Sequence, residues 1–273
     1  MRITMKKILS ISLALLLCLG CFVSCGANKD AKTITVAASA TPHAEILEQC
    51  VEAMAEKGYT LEIKVMDDYI IPNTATEDGE VDANYFQHIL YLNDFNARNG
   101  THLVQVSKVH YEPFAIYAGT VNSLEALEDG AKIAVPNDTT NEARALLLLE
   151  ATGLITLKEG VGLSATKKDI VENPHNYEIV ELEASLIPRN LSEVAIAVIN
   201  GNYALQANLS VADSLAKEAS DSEVVQDYYA NVLVVKEGNE ENEGIKALIE
   251  VLKSDAIKNY IDTTYNSSVI FID

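Results

Sequence analysis

The fold is indicated most clearly by residues 133–144, which read Ile133-Ala-Val-Pro-Asn-Asp-Thr-Thr-Asn-Glu-Ala-Arg144. The apolar run over 132–135 predicts a buried strand. Thr139 and Glu142 have the spacing of a capping box, which predicts that a helix over 140–152 begins directly after that strand. A strand that leads straight into a helix is typical of the α/β class.

Strands and helices alternate along the rest of the chain from Thr33 onward. The other predicted strands are 34–38, 61–65, 81–86 (or an extended turn), 177–182, 195–199, 229–236 and 269–272. The other predicted helices are 44–57, 73–77, 88–98 and 202–209, with one long or two short helices over 242–264. Residues 107–112 are predicted to form a loop between the apolar runs 103–106 and 113–118. Two similar halves of this kind predict an α/β fold of two lobes with largely parallel sheets and a ligand site beyond the carboxyl ends of the strands.

Residues 1–24 have the layout of a secretory signal peptide. Three basic residues precede an apolar run over 8–23, and the chain turns polar directly after Cys25. We predict that Cys25 is acylated after removal of the signal, with Cys21 as the second candidate, and that 25–32 form a tether. An uncleaved membrane anchor is the alternative, although its run of 16 residues is shorter than the roughly 20 that a spanning helix needs.

The formal charge of the chain is −20, and it becomes −23 when the three positive charges of the signal peptide are removed. So acidic a protein is not suited to nucleic acid, whose phosphates require a basic surface. It is equally unsuited to lying flat on anionic lipid, so the lipid anchor is the expected membrane attachment. Cys50 is the one cysteine beyond the signal region, which excludes an intramolecular disulfide there and predicts a buried core thiol.

Arg144 is the first candidate for ligand binding. It lies just inside the predicted helix that follows residue 138, among apolar neighbours that are a poor environment for a solvated charge. A guanidinium in this position is suited to bind a carboxylate through two parallel hydrogen bonds. The alternative is a structural ion pair with an acidic neighbour.

Asn200 and Asn202 form the second candidate site, because they follow an apolar strand and offer amide donors and acceptors at its carboxyl end. Such groups suit the α-amino and α-carboxyl groups of an amino acid, but an Asn-Gly turn without a ligand explains the same pattern. Aromatic residues near two histidines predict a partly apolar pocket that suits a thioether, with an ordinary core as the alternative. These residues are Tyr69, Tyr85, Phe86, Tyr111, His88 and His110.

A divalent-metal receptor is the alternative function, with His43, His88 and His110 as ligands. The spacing of these histidines lacks the paired pattern of stronger zinc motifs. Hydrolase, P-loop and HExxH motifs are also missing, so we expect neither an enzyme nor a cofactor. A surface adhesin whose cleft binds no ligand is a third hypothesis.

Several motifs in order resemble the methionine-binding lipoprotein family (NlpA type) of ABC importers. They are Thr41-Pro-His-Ala-Glu-Ile-Leu47, Asp82-Ala-Asn-Tyr-Phe-Gln-His88, Lys108-Val-His110 with Glu112-Pro113, Ile133-Ala-Val-Pro-Asn-Asp138, Asn141-Glu-Ala-Arg-Ala-Leu-Leu-Leu-Leu149, Asp169-Ile-Val-Glu-Asn-Pro174, Glu181-Leu-Glu-Ala184 with Pro188-Arg189, and Ala197-Val-Ile-Asn-Gly-Asn-Tyr-Ala204. The resemblance covers the whole chain from about Thr33 to the C-terminus.

The resemblance implies a type II periplasmic-binding fold whose lobes close on a methionine-like ligand. One lobe would comprise 33–112 plus 230–273, and the other 113–229. The protein would be a monomer that is lipid-anchored on the extracytoplasmic face of the cell membrane and delivers its ligand to a membrane permease.

The resemblance also implies roles for single residues. Arg144 would bind the ligand carboxylate, and Asn200 and Asn202 would hold the amino-acid backbone. The side-chain pocket would be lined by Tyr69, Phe86, His88 and His110. Leu90 departs from the proline usual in the family, so another apolar amino acid or a methionine-containing dipeptide stays open as the ligand.

Overall fold

The structure is a computed structural model that describes residues 32–219 and 224–273, without the side chains of 225 and 226. The predicted signal peptide and the acylation of Cys25 lie outside the described residues. Within the described part, no helix is long and apolar enough to span a membrane.

Thirteen strands are found in these residues. They are β1 (Lys32–Ala38), β2 (Tyr59–Val65), β3 (Ala83–His88), β4 (Leu103–Tyr111), β5 (Ala115–Ala118), β6 (Lys132–Pro136), β7 (Thr156–Leu157), β8 (Ile170–Glu172), β9 (Glu178–Leu182), β10 (Ile196–Ile199), β11 (Ala216–Lys217), β12 (Ala230–Lys236) and β13 (Ile270–Phe271).

The α-helices are α1 (Glu45–Glu48), α2 (Val51–Glu56), α3 (Ile71–Glu77), α4 (Ile89–Asn99), α5 (Thr139–Ala151), α6 (Gly201–Gln206), α7 (Glu243–Leu252) and α8 (Asp255–Thr264). A π-helical turn (Ala40–Ala44) precedes α1, and a 3-10 segment (Ala184–Glu193) precedes β10.

The strands form two large sheets and one small hairpin. The first sheet has the order β13-β4-β12-β3-β1-β2, the second has the order β11-β5-β10-β6-β9, and β7 pairs with β8. The α/β class predicted from the alternation of strands and helices is therefore confirmed.

Both large sheets are mixed, which corrects the prediction of largely parallel sheets. The β1–β2, β1–β3, β6–β9 and β6–β10 pairs run parallel. β12 instead runs antiparallel to β3 and β4, and β5 runs antiparallel to β10. An apolar strand pattern indicates that a strand is buried but not which way it runs. The antiparallel direction of these strands was therefore not predicted from the sequence.

The predicted loop 107–112 is wrong, because β4 continues as far as Tyr111. Ser107 and Lys108 pair with Leu233 and Val232 of β12, and their side chains are partly exposed. Polar residues on the outer face of a strand resemble a loop in the sequence. The extension is important because it brings the buried His110 into the first sheet.

The single helix predicted over 44–57 is interrupted. The backbone N–H groups of Gln49 and Cys50 bond to the carbonyls three residues earlier, of Ile46 and Leu47, which tightens the chain between α1 and α2. Cys50 is fully buried as predicted, and burial raises the pKa of its thiol to about 12.

Each large sheet has its own apolar core. Helices α1, α2, α7 and α8 cover the first sheet, with fully buried Met54 and Leu248 among the contacts. Helix α5 packs on the second sheet, where Leu146 and Leu149 contact the cluster around Ile133 and Val198. These cores fix the sheets that carry the polar residues described next.

Candidate functional site

A pocket lies at the carboxyl ends of strands β3, β6 and β10, and both large sheets contribute to its lining. The lining residues are Tyr69, Phe86, Gln87, His88, Tyr91, Glu112, Asn141, Arg144, Asn200, Gly201, Asn202 and Asn231. Beyond the carboxyl ends of parallel strands is where α/β proteins commonly bind ligands.

Arg144 lies on the first turns of α5 with 4% of its surface exposed. Its Nε donates to the carboxylate of Glu218 at 2.9 Å and 3.2 Å, and Nη2 donates to the same carboxylate at 2.7 Å. Nη2 also donates to the carbonyl oxygen of Glu112 at 3.1 Å. Among the described residues these bonds occupy Nε and Nη2, so the Nη1 side of the guanidinium is the one left to a further carboxylate.

Aromatic rings enclose the same guanidinium. Its Cζ lies 4.1 Å from the ring centre of Tyr229 and 4.9 Å from that of Phe114, which are cation–π distances. Burial alone would lower the pKa of Arg144, but Glu218 more than offsets this effect and the pKa is raised. The side chain is thus a fixed, permanently charged group at the pocket wall.

Asn200 and Asn202 stand at the end of β10 and the start of α6, and both are buried. Nδ2 of Asn200 donates to Oδ1 of Asn141 at 2.9 Å, and Oδ1 of Asn202 accepts from the hydroxyl of Tyr69 at 2.6 Å. Asn200 Oδ1 and Asn202 Nδ2 have no hydrogen-bond partner within residues 32–219 and 224–273. This buried acceptor and this buried donor are therefore available to a molecule that enters the pocket.

An aromatic wall forms the other side of the pocket. The ring centre of Tyr69 lies 5.8 Å from that of Phe86, 5.6 Å from that of Tyr91 and 5.1 Å from that of Tyr203. Phe86 and Tyr91 are buried. This wall offers ring faces and edges to an apolar side chain.

His88 connects the aromatic wall to α5. Its Nδ1 accepts from the backbone N–H of Tyr91, which caps α4, and its Nε2 lies 3.1 Å from Oδ1 of Asn141. Asp138 in turn accepts from the backbone N–H and Nδ2 of Asn141, so it is the N-cap of α5. The capping box predicted with Thr139 is therefore wrong by one residue, because the aspartate carboxylate accepts the bond.

Glu112 lines the pocket and also forms a buried cluster with two histidines behind it. Its Oε1 lies 2.7 Å from Nε2 of His110 and 3.4 Å from Nε2 of His43. Tyr85 hydrogen-bonds to Nδ1 of His110, and Asn231 lies 2.9 Å from Nε2 of His43. Burial lowers the pKa of His43 to about 4 and that of His110 to about 3.

The metal set proposed from the sequence is not brought together. Ligand atoms of His43, His110 and Glu112 lie within 4.8 Å of one another, but His88 is bonded to Asn141. The three clustered side chains each bond to protein groups, although Nδ1 of the buried His43 has no hydrogen-bond partner among the described residues.

Six of the seven residues predicted to bind a ligand line this one pocket, namely Tyr69, Phe86, His88, Arg144, Asn200 and Asn202. The seventh, His110, lies one layer behind Glu112.

The other six lining residues were not among the predicted ligand contacts; they are Gln87, Tyr91, Glu112, Asn141, Gly201 and Asn231. Asn231 sits in register with His88 on one neighbouring strand and His110 on the other. The available signal was a single polar residue in the apolar run of β12.

Comparison with known proteins places the chain in a family. A sequence model of the NlpA lipoprotein family matches residues 34–272. The methionine-binding lipoprotein MetQ of Bacillus subtilis (strain 168) is 42% identical over 275 residues, which cover 97% of this chain and 98% of that protein. The D-methionine-binding lipoprotein MetQ of Salmonella typhimurium is 40% identical over 251 residues, or 90% of this chain and 91% of that protein.

Solved structures agree with this assignment. A lipoprotein from Ruminococcus gnavus is 60% identical, with a TM-score of 0.87 over 89% of this chain and 100% of that chain. A nutrient binding protein from Burkholderia cenocepacia, solved bound to methionine, is 37% identical, with a TM-score of 0.83 over 88% of this chain and 100% of that chain. The chain therefore belongs to the NlpA lipoprotein family, whose members are substrate-binding proteins and not enzymes.

Proposed function

We propose that this protein binds methionine between its two sheets and delivers it to the membrane permease of an ABC importer. Relatives at about 40% identity are named methionine-binding lipoproteins, and one structural neighbour holds methionine. The proposal for this chain rests on the chemistry of its own pocket.

The observation that carries the proposal is the pair of unpartnered amide atoms beside a buried guanidinium. Asn200 Oδ1 can accept a hydrogen bond from an α-ammonium group, and Asn202 Nδ2 can donate one to an α-carboxylate. Nη1 of Arg144 supplies a charged donor to the same carboxylate. This combination of donors and acceptor is complementary to a zwitterionic α-amino acid.

The aromatic wall supports an apolar side chain with sulfur, because thioethers make favourable contacts with aromatic rings. Tyr69, Phe86 and Tyr91 surround the space where that side chain would lie. Leu90, the departure from the family pattern, packs on the apolar cluster under β4 and β12 and is not among the lining residues that the structure describes. The position therefore gives no reason to prefer a different ligand.

Binding would couple to closure of two lobes, one formed by 33–112 plus 230–273 and the other by 113–229. Tyr69 and His88 on the first side bond to Asn202 and Asn141 on the second. A ligand that bonds to Arg144 on one side and contacts the aromatic wall on the other favours the closed arrangement, because only that arrangement offers both sets of contacts.

We also propose how the protein is attached to the cell membrane and how it meets the permease. The chain would be anchored through an acylated Cys25 on the extracytoplasmic face of the cell membrane, and would act as a monomer that meets the permease in its closed form. The lipoprotein relatives support the anchor.

The test is isothermal titration calorimetry on the chain without its signal peptide, unfolded and refolded first to remove co-purified ligand. Methionine of both chiralities, leucine and glycyl-methionine are titrated, and Zn²⁺ and Mn²⁺ are added in a parallel thermal-shift series. We expect methionine to bind at micromolar or tighter Kd and the metals to have no effect. Stabilisation by a metal with no response to any amino acid or dipeptide would refute the proposal.

A further inference from the structure

The short helix α6 begins in an unusual way. Asn200 is its N-cap, and an asparagine there ordinarily accepts a hydrogen bond from a backbone N–H of the first turn. Within the described residues, the side chain of Asn200 makes no such bond. It turns instead to Asn141, with Oδ1 left unpartnered at the pocket. Some other group must therefore hold the first turn of α6.

Glu112 is that group, although it lies between β4 and β5 and far from α6 in sequence. Its side chain packs directly on Gly201: a Cβ at position 201 would lie 2.6 Å from Cβ and 2.7 Å from Oε2 of Glu112. Such distances are too short for any side chain, so glycine is required for the approach. The backbone N–H of Asn202 also faces the carboxylate and stabilises its ionised form.

Glu112 is itself held firmly. Only 6% of its surface is exposed, and Oε1 bonds to His110 at 2.7 Å with His43 at 3.4 Å. One oxygen thus faces the histidines while the other faces Gly201. Burial raises the pKa of Glu112, whereas His43, Arg144 and the N–H of Asn202 act in the opposite direction.

We propose that Glu112 is the positioning residue of the amide pair. Its carboxylate holds the Gly201–Asn202 backbone in place of a side-chain cap, which frees the amides of Asn200 and Asn202 to bind the ligand. The inference rests on the proposed function, since it assigns the residue that prepares the same site. Glu112 also lines the pocket, and the role proposed here is the one that it exerts through α6.

Glu112→Gln is the principal test, because it keeps the shape but not the two acceptor oxygens. Glutamine carries no negative charge, so in either amide orientation the N–H of Asn202 loses its charged acceptor. We expect methionine affinity measured by calorimetry to fall on the order of ten- to hundredfold, the usual range for a hydrogen bond to a charged group.

Glu142→Gln is the matched control. Glu142 is equally buried, at 6% exposed, and it also accepts a backbone N–H, from Lys167 at 2.8 Å, but it lies outside the pocket. The Glu142→Gln protein should bind methionine with the same affinity as the wild type. Gly201→Ala is a second variant that disturbs the same contact from the other side, and it should weaken binding as well.

An analogue separates positioning from general stability. The deamino analogue 4-(methylthio)butanoate lacks the ammonium group, so it cannot use the acceptor of Asn200. If Glu112 positions the amides, Glu112→Gln reduces the affinity for methionine more than the affinity for the analogue. The ratio of methionine affinity to analogue affinity is then smaller in the variant than in the wild type. A structural role alone would lower both affinities equally, together with the thermal midpoint, and would overturn the proposal.

Two negative outcomes are distinguishable. Wild-type protein that does not bind methionine contradicts both the proposed function and this inference. Wild-type protein that binds methionine, with Glu112→Gln binding equally well, contradicts the positioning role alone.

Discussion

At the scale of single residues, the ion pair of Arg144 does not exclude the ligand role proposed for it, although the sequence presented the two as alternatives. Arg144 forms a buried ion pair with Glu218 and also lines the pocket. We expect Arg144→Ala to lower methionine affinity about thirtyfold or more, because a buried charged contact is worth about 2–5 kcal/mol. Calorimetry on the purified variant measures this loss, and unchanged affinity would contradict the role.

The double variant Arg144→Ala with Glu218→Gln is the control for that experiment. Removing the arginine alone leaves the Glu218 carboxylate buried without its cation, which destabilises the fold. The neutral glutamine should restore much of the thermal stability. Methionine binding should stay lost, since the group that meets the ligand carboxylate is still missing.

The sequence pointed to those pocket-lining residues that are conspicuous in their local context. Arg144 interrupts an apolar helix, and Asn200 and Asn202 end an apolar strand. The ion pair with Glu218 was not predictable, because the two residues are 74 positions apart and only tertiary packing brings them together. The same holds for Asn231, whose neighbours are set by strand register.

At the scale of elements, Asp138 links the start of α5 to the pocket. Its carboxylate accepts from the backbone and the side chain of Asn141, and Asn141 accepts from His88 and Asn200. Asp138→Ala should lower the free energy of unfolding by about 1 kcal/mol, the typical value of an N-cap. Urea unfolding followed by circular dichroism gives this difference.

Asp138→Asn is the companion variant, because asparagine is an equally good N-cap. It should retain most of the stability that Asp138→Ala loses. Equal losses in the two variants would mean that the negative charge, and not the capping bond, stabilises α5.

Element types were predicted better than their partners. The strand–helix–strand units around α5 and α6 have strong local periodicity, so their positions agree with the structure to within a few residues. The strand predicted at β4 was too short because Ser107 and Lys108 are polar. The antiparallel direction of β5 and β12 is decided by how the chain crosses between the sheets. Local pattern carries no information on that crossing.

At the scale of the whole molecule, three buried histidines make stability depend on pH. Burial lowers the pKa of His43 to about 4 and those of His88 and His110 to about 3. The unfolded chain takes up these protons near pH 6.5, whereas the folded chain resists them, so stability is lost as the pH falls below 6.5. Glu112 acts in the opposite direction, because its pKa is raised by burial.

His88 is the histidine whose effect can be isolated, because it is not paired with Glu112. Its ring faces the amide of Asn141 and the rings of Tyr91 and Tyr229, and Arg144 is the nearby charge. Burial and the guanidinium both disfavour its protonated form. Neither influence changes between pH 7 and pH 5, since Arg144 stays charged throughout.

His88→Asn should therefore reduce the pH dependence of the fold while keeping a side chain that can cap α4. A histidine with a pKa of about 3 in the folded chain and 6.5 in the unfolded chain costs about 2 kcal/mol of stability between pH 7 and pH 5. The difference in unfolding free energy between these two pH values, measured in urea, should shrink by that amount in the variant. His175→Asn, at an exposed position, should keep the wild-type difference. If both variants show the wild-type difference, His88 is not kept neutral by its surroundings, and acid sensitivity must arise elsewhere in the molecule.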